Sequence, residues 1–158
     1  MRSRGFTLIE LMITITLFGL LLFVGVPLTQ SWTNSSYQRD TAGLLKQGIS
    51  RAKATALRNQ GAVQDTAPAA VLCHSGQNLK LFRLNAGQSI DCTTTNTPVW
   101  TSTWTSTIPA AAGIKVGGID MTCVAFSNRG LAVSGSPCTT GTLQVTAGSE
   151  SSVDVPLI

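Results

Sequence analysis

At 158 residues the chain has the length of one modest domain. Charged residues make up only 11%, while Thr, Ser, Gly and Ala are abundant, which argues against a long charged helical bundle and for strands and turns. The formal net charge of +4 is unevenly placed, in Arg2 and Arg4 ahead of the first apolar run and in Arg39, Lys46, Arg51, Lys53 and Arg58 after it. Such an excess fits a solvated helix face better than a dedicated acidic partner.

From Phe6 to Leu28 the chain reads FTLIELMITITLFGLLLFVGVPL, and Glu10 is its only charge. A run of about 20 apolar residues is long enough to cross a bilayer as a helix. Arg2 and Arg4 put the N-terminus on the cytoplasmic side by the positive-inside rule. A cleaved secretory signal needs small residues in an A-x-A-like pattern after the apolar run, and Pro27-Leu28-Thr29-Gln30-Ser31-Trp32 matches poorly. A plain anchor accounts for the length but not for Glu10. A carboxylate at the centre of such a span costs about 2.5–3.5 kcal/mol on insertion scales, so it implies a partner or a function.

The segment Gly5-Phe6-Thr7-Leu8-Ile9-Glu10-Leu11 resembles the processing motif of type IV pilins and type II pseudopilins. The resemblance implies that a prepilin peptidase removes a leader, Met1 to Gly5, cutting between Gly5 and Phe6, and that the new N-terminal Phe6 is methylated. It further implies that Glu10 meets the N-terminal amine of a neighbouring subunit during assembly. Opposite charges attract strongly in a low-dielectric setting and offset each other's desolvation. The implied partners are other pilin or pseudopilin subunits, the inner-membrane assembly platform and membrane lipid. The implied location is the inner membrane, with the head in the periplasm, and then the filament. Gly19, Gly25 and Pro27 weaken the helix, since Gly costs about 1 kcal/mol and Pro about 3 kcal/mol relative to Ala. In this family such a stretch can lose helical order in the filament, so Gly19 to Pro27 is the candidate flexible segment.

Between residues 33 and 60, Leu45, Ile49, Ala52 and Ala56 recur at helical spacing, and Leu44 and Leu57 widen the stripe. Arg39, Lys46, Lys53 and Gln60 fall near the opposite face. The pattern predicts an amphipathic helix that stops at Asn59-Gln60-Gly61, with Gly61 as the residue after the cap. Gly43 and Gly48 lower its propensity, so it relies on tertiary packing. Ser31 to Ser36 is polar enough to be a break between the two helical segments.

After Gly61 short runs rich in Val, Ile, Thr and Trp alternate with Gly, Asn, Ser and Pro. Candidate strands are 69–74, 78–84, 98–104, 113–117, 121–127, 130–134, 142–146 and 152–157. The run Leu79 to Leu84 is compatible with burial on both faces. Trp100 and Trp104 share one strand face by even spacing, which favours core or subunit packing. The expected fold is α+β: a long pilin-like N-terminal helix packed on an antiparallel sheet. The expected divisions are a leader at 1–5, a transmembrane and assembly helix at 6–31, an amphipathic helix at 32–60 and a β-rich head at 61–158. Ala54-Thr55-Ala56-Leu57-Arg58-Asn59 and Phe126-Ser127-Asn128-Arg129-Gly130 resemble the helix end and a later turn of the FimT/FimU and GspH group of minor pilins and pseudopilins.

The four cysteines, Cys73, Cys92, Cys123 and Cys138, suggest two disulfides in an exported domain. Three pairings are possible. Cys73–Cys92 with Cys123–Cys138 closes the two shortest loops and is preferred. Zinc fits poorly, since no two cysteines have C-x₂₋₄-C spacing and the sole histidine, His74, directly follows Cys73. No G-x-S-x-G and no phosphate-binding loop occurs. Asp65, Asp91, Asp120, Glu150 and Asp154 are too dispersed for a calcium loop. Only Lys115 and Arg129 are basic beyond residue 100, and the C-terminal tail carries Glu150 and Asp154, so nucleic-acid binding through a basic tail is disfavoured. The sequence therefore reads as a structural subunit without cofactor, metal or catalytic residue: a minor pilin of a type IV pilus, with an H-type pseudopilin and a DNA-binding competence pilin as alternatives.

Overall fold

The computed structural model describes residues 6–64, 66–93, 97–102, 108–109, 111–135 and 137–157. Helix α1 runs Leu8–Arg58. The chain divides into two compact units, Met1–Thr33 and Asn34–Ile158.

In the second unit the stripe predicted from spacing is buried. Leu45, Ala52 and Ala56 are fully inaccessible, and Ile49 and Ala42 nearly so. Gln38 and Thr41 extend the same stripe toward Asn34 with polar side chains. Leu44 is half-buried, but Leu57 lies outside the stripe and is exposed. Its side chain instead rests near Gly130.

The helix ends two residues earlier than the glycine signal suggested. Asn59, not Gly61, takes the left-handed conformation after the cap, with φ of 42°. Asparagine tolerates this because its short amide bonds locally. Asn59 Nδ2 donates to the Val63 carbonyl at 2.8 Å, and its Oδ1 accepts from the Val63 N–H at 2.8 Å. Gly61 has a different task. A Cβ there would collide with the Leu84 carbonyl oxygen and lie 2.8 Å from Asn85 Cα. The close approach lets the Ala86 N–H donate to the Gly61 carbonyl at 2.9 Å.

The strands are β1 (Pro68–Ser75), β2 (Asn78–Arg83), β3 (Trp100–Thr101), β4 (Ala112–Val116), β5 (Ile119–Asp120), β6 (Cys123–Ser127), β7 (Ala132–Val133), β8 (Leu143–Ala147) and β9 (Val153–Val155). Among the described residues they form two antiparallel sheets rather than one, with orders β3-β2-β1-β6-β7 and β5-β4-β8-β9. The eight expected runs each contain a strand, mostly shortened, and Trp104 of the expected 98–104 run lies outside the described residues. Strand β5 was not anticipated. It pairs with β4 across Gly117-Gly118, whose φ values of 56° and 85° suit a tight hairpin turn.

One continuous core joins α1 to both sheets: Leu72, Leu81, Val124 and Phe126 from the first, Ile114, Leu143 and Val145 from the second. The other face of the first sheet carries a second cluster of Val71, Cys73, Phe82, Leu84, Cys123 and Ala125. Strand β2 is thus apolar on both faces, as Leu79–Leu84 allowed. Disulfides Cys73–Cys92 and Cys123–Cys138 bridge onto this second cluster, against which Ile90 and the β7 residue Val133 also pack.

Gly61→Ala is expected to destabilise the folded head by about 2–3 kcal/mol, because backbone rather than a flexible side chain opposes the new methyl. Thermal unfolding of the full-length chain in detergent, followed by circular dichroism, checks this. An unchanged midpoint would contradict the close approach at Leu84.

Candidate assembly interface

Gly5, with Met1 to Arg4, lies outside the described residues; Phe6 is the first described residue and is exposed. The first turn of α1 follows at once, and Thr7 is its N-cap. The Glu10 N–H donates to the Thr7 carbonyl at 3.1 Å. In return the Thr7 N–H and Oγ1 donate to Glu10 Oε2 at 3.4 and 3.3 Å. This is the reach-back half of a capping box, in which a glutamate three residues into a helix satisfies a donor at its start. It also places a carboxylate at the positive end of the helix dipole. The pattern Thr7-x-x-Glu10 ahead of an apolar run is the signature of this box in the sequence.

Beyond Glu10 the helix is apolar on every side. From Phe6 to Val24 each large apolar side chain is at least 53% exposed. Full burial of such side chains is worth about 1.5–3 kcal/mol each, so leaving the run in water forfeits a total on the order of tens of kcal/mol. The few hydroxyls in the run are turned back on the helix. Thr14 Oγ1 donates to the Leu11 carbonyl at 2.8 Å, and Thr16 Oγ1 to the Ile13 carbonyl at 2.9 Å. Satisfying polar groups within the helix is what a hydrocarbon surrounding demands. By length and composition the helix can cross a membrane.

A Cβ added at Gly19 or Gly25 would meet nothing within 4 Å, so neither glycine is required by a close neighbour in its own chain. Pro27 lacks an N–H, leaving the Phe23 carbonyl without its usual helical donor, yet the helix continues through it. It also continues through Ser31 to Ser36, where a break was possible.

The remaining sequence candidates do not converge. His74 is half-buried, and its Nδ1 lies 3.1 Å from the Met121 carbonyl oxygen. Among the described residues no group of three His, Cys, Asp or Glu side chains could hold a metal ion. Trp100 packs against the core and receives the Arg51 guanidinium 5.3 Å from its ring centre. Lys53 sits 5.9 Å from the Phe126 ring centre, so two of the five helix cations contact aromatic faces. Lys115 lies on β4, Arg129 in the turn after β6, and Asp154 on β9, bonded to Gln144. Asp65 lies outside the described residues. A shallow cleft of about 270 Å³ is lined by Arg83, Asn85, Gln88, Thr97, Pro98 and Val99, with no carboxylate, thiol or imidazole among them.

Gln38 is another residue that spacing alone did not single out. It is buried, and its Nε2 donates to the Val145 carbonyl at 2.9 Å and to the Ser151 carbonyl at 2.6 Å. It thereby fastens the β8–β9 hairpin to α1. Its place one turn before Ala42 and Leu45 was the available signal.

Residues 1–26 match the family model for the prokaryotic N-terminal methylation motif. Motif, helix and antiparallel head together fit a type IV pilin-like protein. No curated protein and no solved structure matches the chain. The motif supports a type IV pilin or pseudopilin precursor processed by a prepilin peptidase, and it implies assembly with other pilin subunits. The apolar helix and the motif fit membrane anchoring and pilus assembly.

The capping geometry separates two substitutions at one position. Glu10→Gln keeps an oxygen that can accept from Thr7, whereas Glu10→Ala removes the acceptor. Loss of a cap costs about 1 kcal/mol. Amide exchange over residues 8–11 in detergent micelles is therefore expected to quicken about fivefold in Glu10→Ala and to stay near wild type in Glu10→Gln. Equal acceleration in both would mean that charge alone, not the cap, orders the first turn.

Proposed function

We propose that this chain is a structural minor pilin of a type IV pilus, of the FimT/FimU and GspH kind, and not an enzyme. The observation that carries the proposal is a methylation motif joined to a helix whose apolar side chains stay exposed from Phe6 to Val24. In this reading residues 1–5 are the leader, 6–31 the transmembrane and assembly helix, 32–60 the amphipathic continuation and 61–158 the head. Prepilin peptidase cuts between Gly5 and Phe6, and Phe6 is methylated. The subunit first sits in the inner membrane with its head in the periplasm, and then enters the filament or its initiating tip complex through the assembly platform.

Glu10 supplies register. It is the only charge from Phe6 to Gln38, so a neighbouring subunit's N-terminal amine has one carboxylate to meet along that length. In the first turn Glu10 has weak, long bonds from Thr7. A charged donor makes stronger hydrogen bonds than these neutral ones, so exchanging Thr7 for an amine is favourable in a low-dielectric filament core. Gly19 to Pro27 is the stretch that loosens on packing.

Two measurements test the reading. Intact mass and N-terminal sequencing of membrane-extracted protein should show a chain beginning at methylated Phe6 only when prepilin peptidase is present. A chain still beginning at Met1 would remove the assembly mechanism. In cells, Glu10→Gln should be inserted and processed normally. Its incorporation should fall by about a hundredfold or more, because an amine buried without its partner costs about 3–5 kcal/mol. Normal incorporation of the Gln variant would eliminate the register role.

A further inference from the structure

We propose that Trp32 is a lipid-interface anchor that sets the depth of the helix in the periplasmic leaflet before the subunit leaves the membrane. The proposal rests on the membrane-inserted reading above. Trp32 lies within the N-terminal unit, on the continuous helix, and is 79% exposed. A tryptophan so exposed on a soluble surface leaves one of the largest apolar side chains in water, whereas at a bilayer surface its ring has a preferred place. Trp and Tyr concentrate at membrane interfaces, where the ring meets acyl chains and the indole N–H meets headgroup acceptors.

The position along the helix suits that place. From Leu8 to Leu28 the axis rises about 30 Å at 1.5 Å per residue, which equals the hydrocarbon thickness of a typical bilayer. Trp32 follows about 6 Å further on, within the headgroup layer. The composition changes at the same point, since Thr29, Gln30 and Ser31 replace the unbroken apolar run and no charge appears until Arg39. The hydroxyls around Trp32 still behave as membrane hydroxyls do. Thr29 Oγ1 donates to the Gly25 carbonyl at 3.3 Å, and Thr33 Oγ1 to the Thr29 carbonyl at 2.8 Å. By helical spacing Trp32 shares a face with Phe18, Leu21 and Gly25, so one lipid-facing strip runs from mid-span to the interface.

The anchor is one of two. Arg2 and Arg4 hold the cytoplasmic end, and Trp32 holds the periplasmic end. Removal of the leader takes away the first and leaves the second. The depth of the processed helix is then held by Trp32 and by the apolar run alone.

The test uses the full-length chain in phosphatidylcholine vesicles whose acyl chains carry bromine near the glycerol, at mid-chain or at the methyl end. The signal of Trp32 is the difference between wild type and Trp32→Ala, with retention of the chain after an alkaline carbonate wash as the control for insertion. Glycerol-proximal bromine should quench the Trp32 signal about twice as strongly as methyl-end bromine. Trp32→Tyr, followed by a nitroxide on a cysteine introduced as Thr33→Cys, should keep the same depth, while Trp32→Ala should change it, and an unchanged depth in Trp32→Ala would overturn the anchor. Strongest quenching by methyl-end bromine, or no quenching in chains that survive the wash, would overturn the proposal, the latter placing Trp32 in a protein contact. Loss of the chain on washing would overturn the membrane-inserted reading itself.

Discussion

Burial of one stripe of α1 is the interaction on which the head depends. Leu45, Ile49, Ala52 and Ala56 form the floor of a core whose walls are two separate sheets. Among the described residues the two sheets share no strand pairing, and side chains of the helix and of both sheets meet in a single hydrophobic cluster. The stripe combines bulk with small residues for that reason. Ala52 and Ala56 are fully buried, and Gly48 faces Leu72 so closely that a Cβ would lie 3.1 Å from its Cδ2. A glycine that weakens an isolated helix is here the means of bringing a strand against it.

The first sheet has a second apolar face, and the helix cannot cover both. Two disulfides supply the cover by pinning loops across it. Cys73 and Cys123 are directly opposed on β1 and β6, and both are fully buried. Each reaches out to a partly buried partner, Cys92 or Cys138, so the two bridges rise from one spot of the sheet. A domain of this size gains from such closures because its core alone buries little surface.

The N-terminal unit obeys the opposite rule. From Phe6 to Val24 its large apolar side chains stay exposed, and the hydroxyls of Thr14, Thr16, Thr29 and Thr33 bond back to the helix. Glu10 is the point where these demands meet. Within one chain it is a modest helix cap. Beside a neighbour's amine, as proposed, it would become a charged pair in a medium that magnifies it. On the proposed function the same residue orders the first turn within one chain and sets register in the assembly.

The sequence by itself determined the apolar run, the amphipathic stripe, the position of nearly every strand and the processing motif. Each of these is written in local order, as period, composition or contiguous residues, so no fold is needed to read it. It also carried the Thr7-x-x-Glu10 box and the Gly117-Gly118 hairpin in plain view. The tertiary structure alone decided the division into two sheets, the use of Gly61 for backbone approach rather than capping, the exposure of Leu57 and the burial of Gln38 beneath the β8–β9 hairpin. These depend on which segments distant in the chain come together, as Gln38 with Ser151 and Gly61 with Leu84. A single sequence records the chemistry of each partner but not their meeting, because that choice is made by the packing of the whole core.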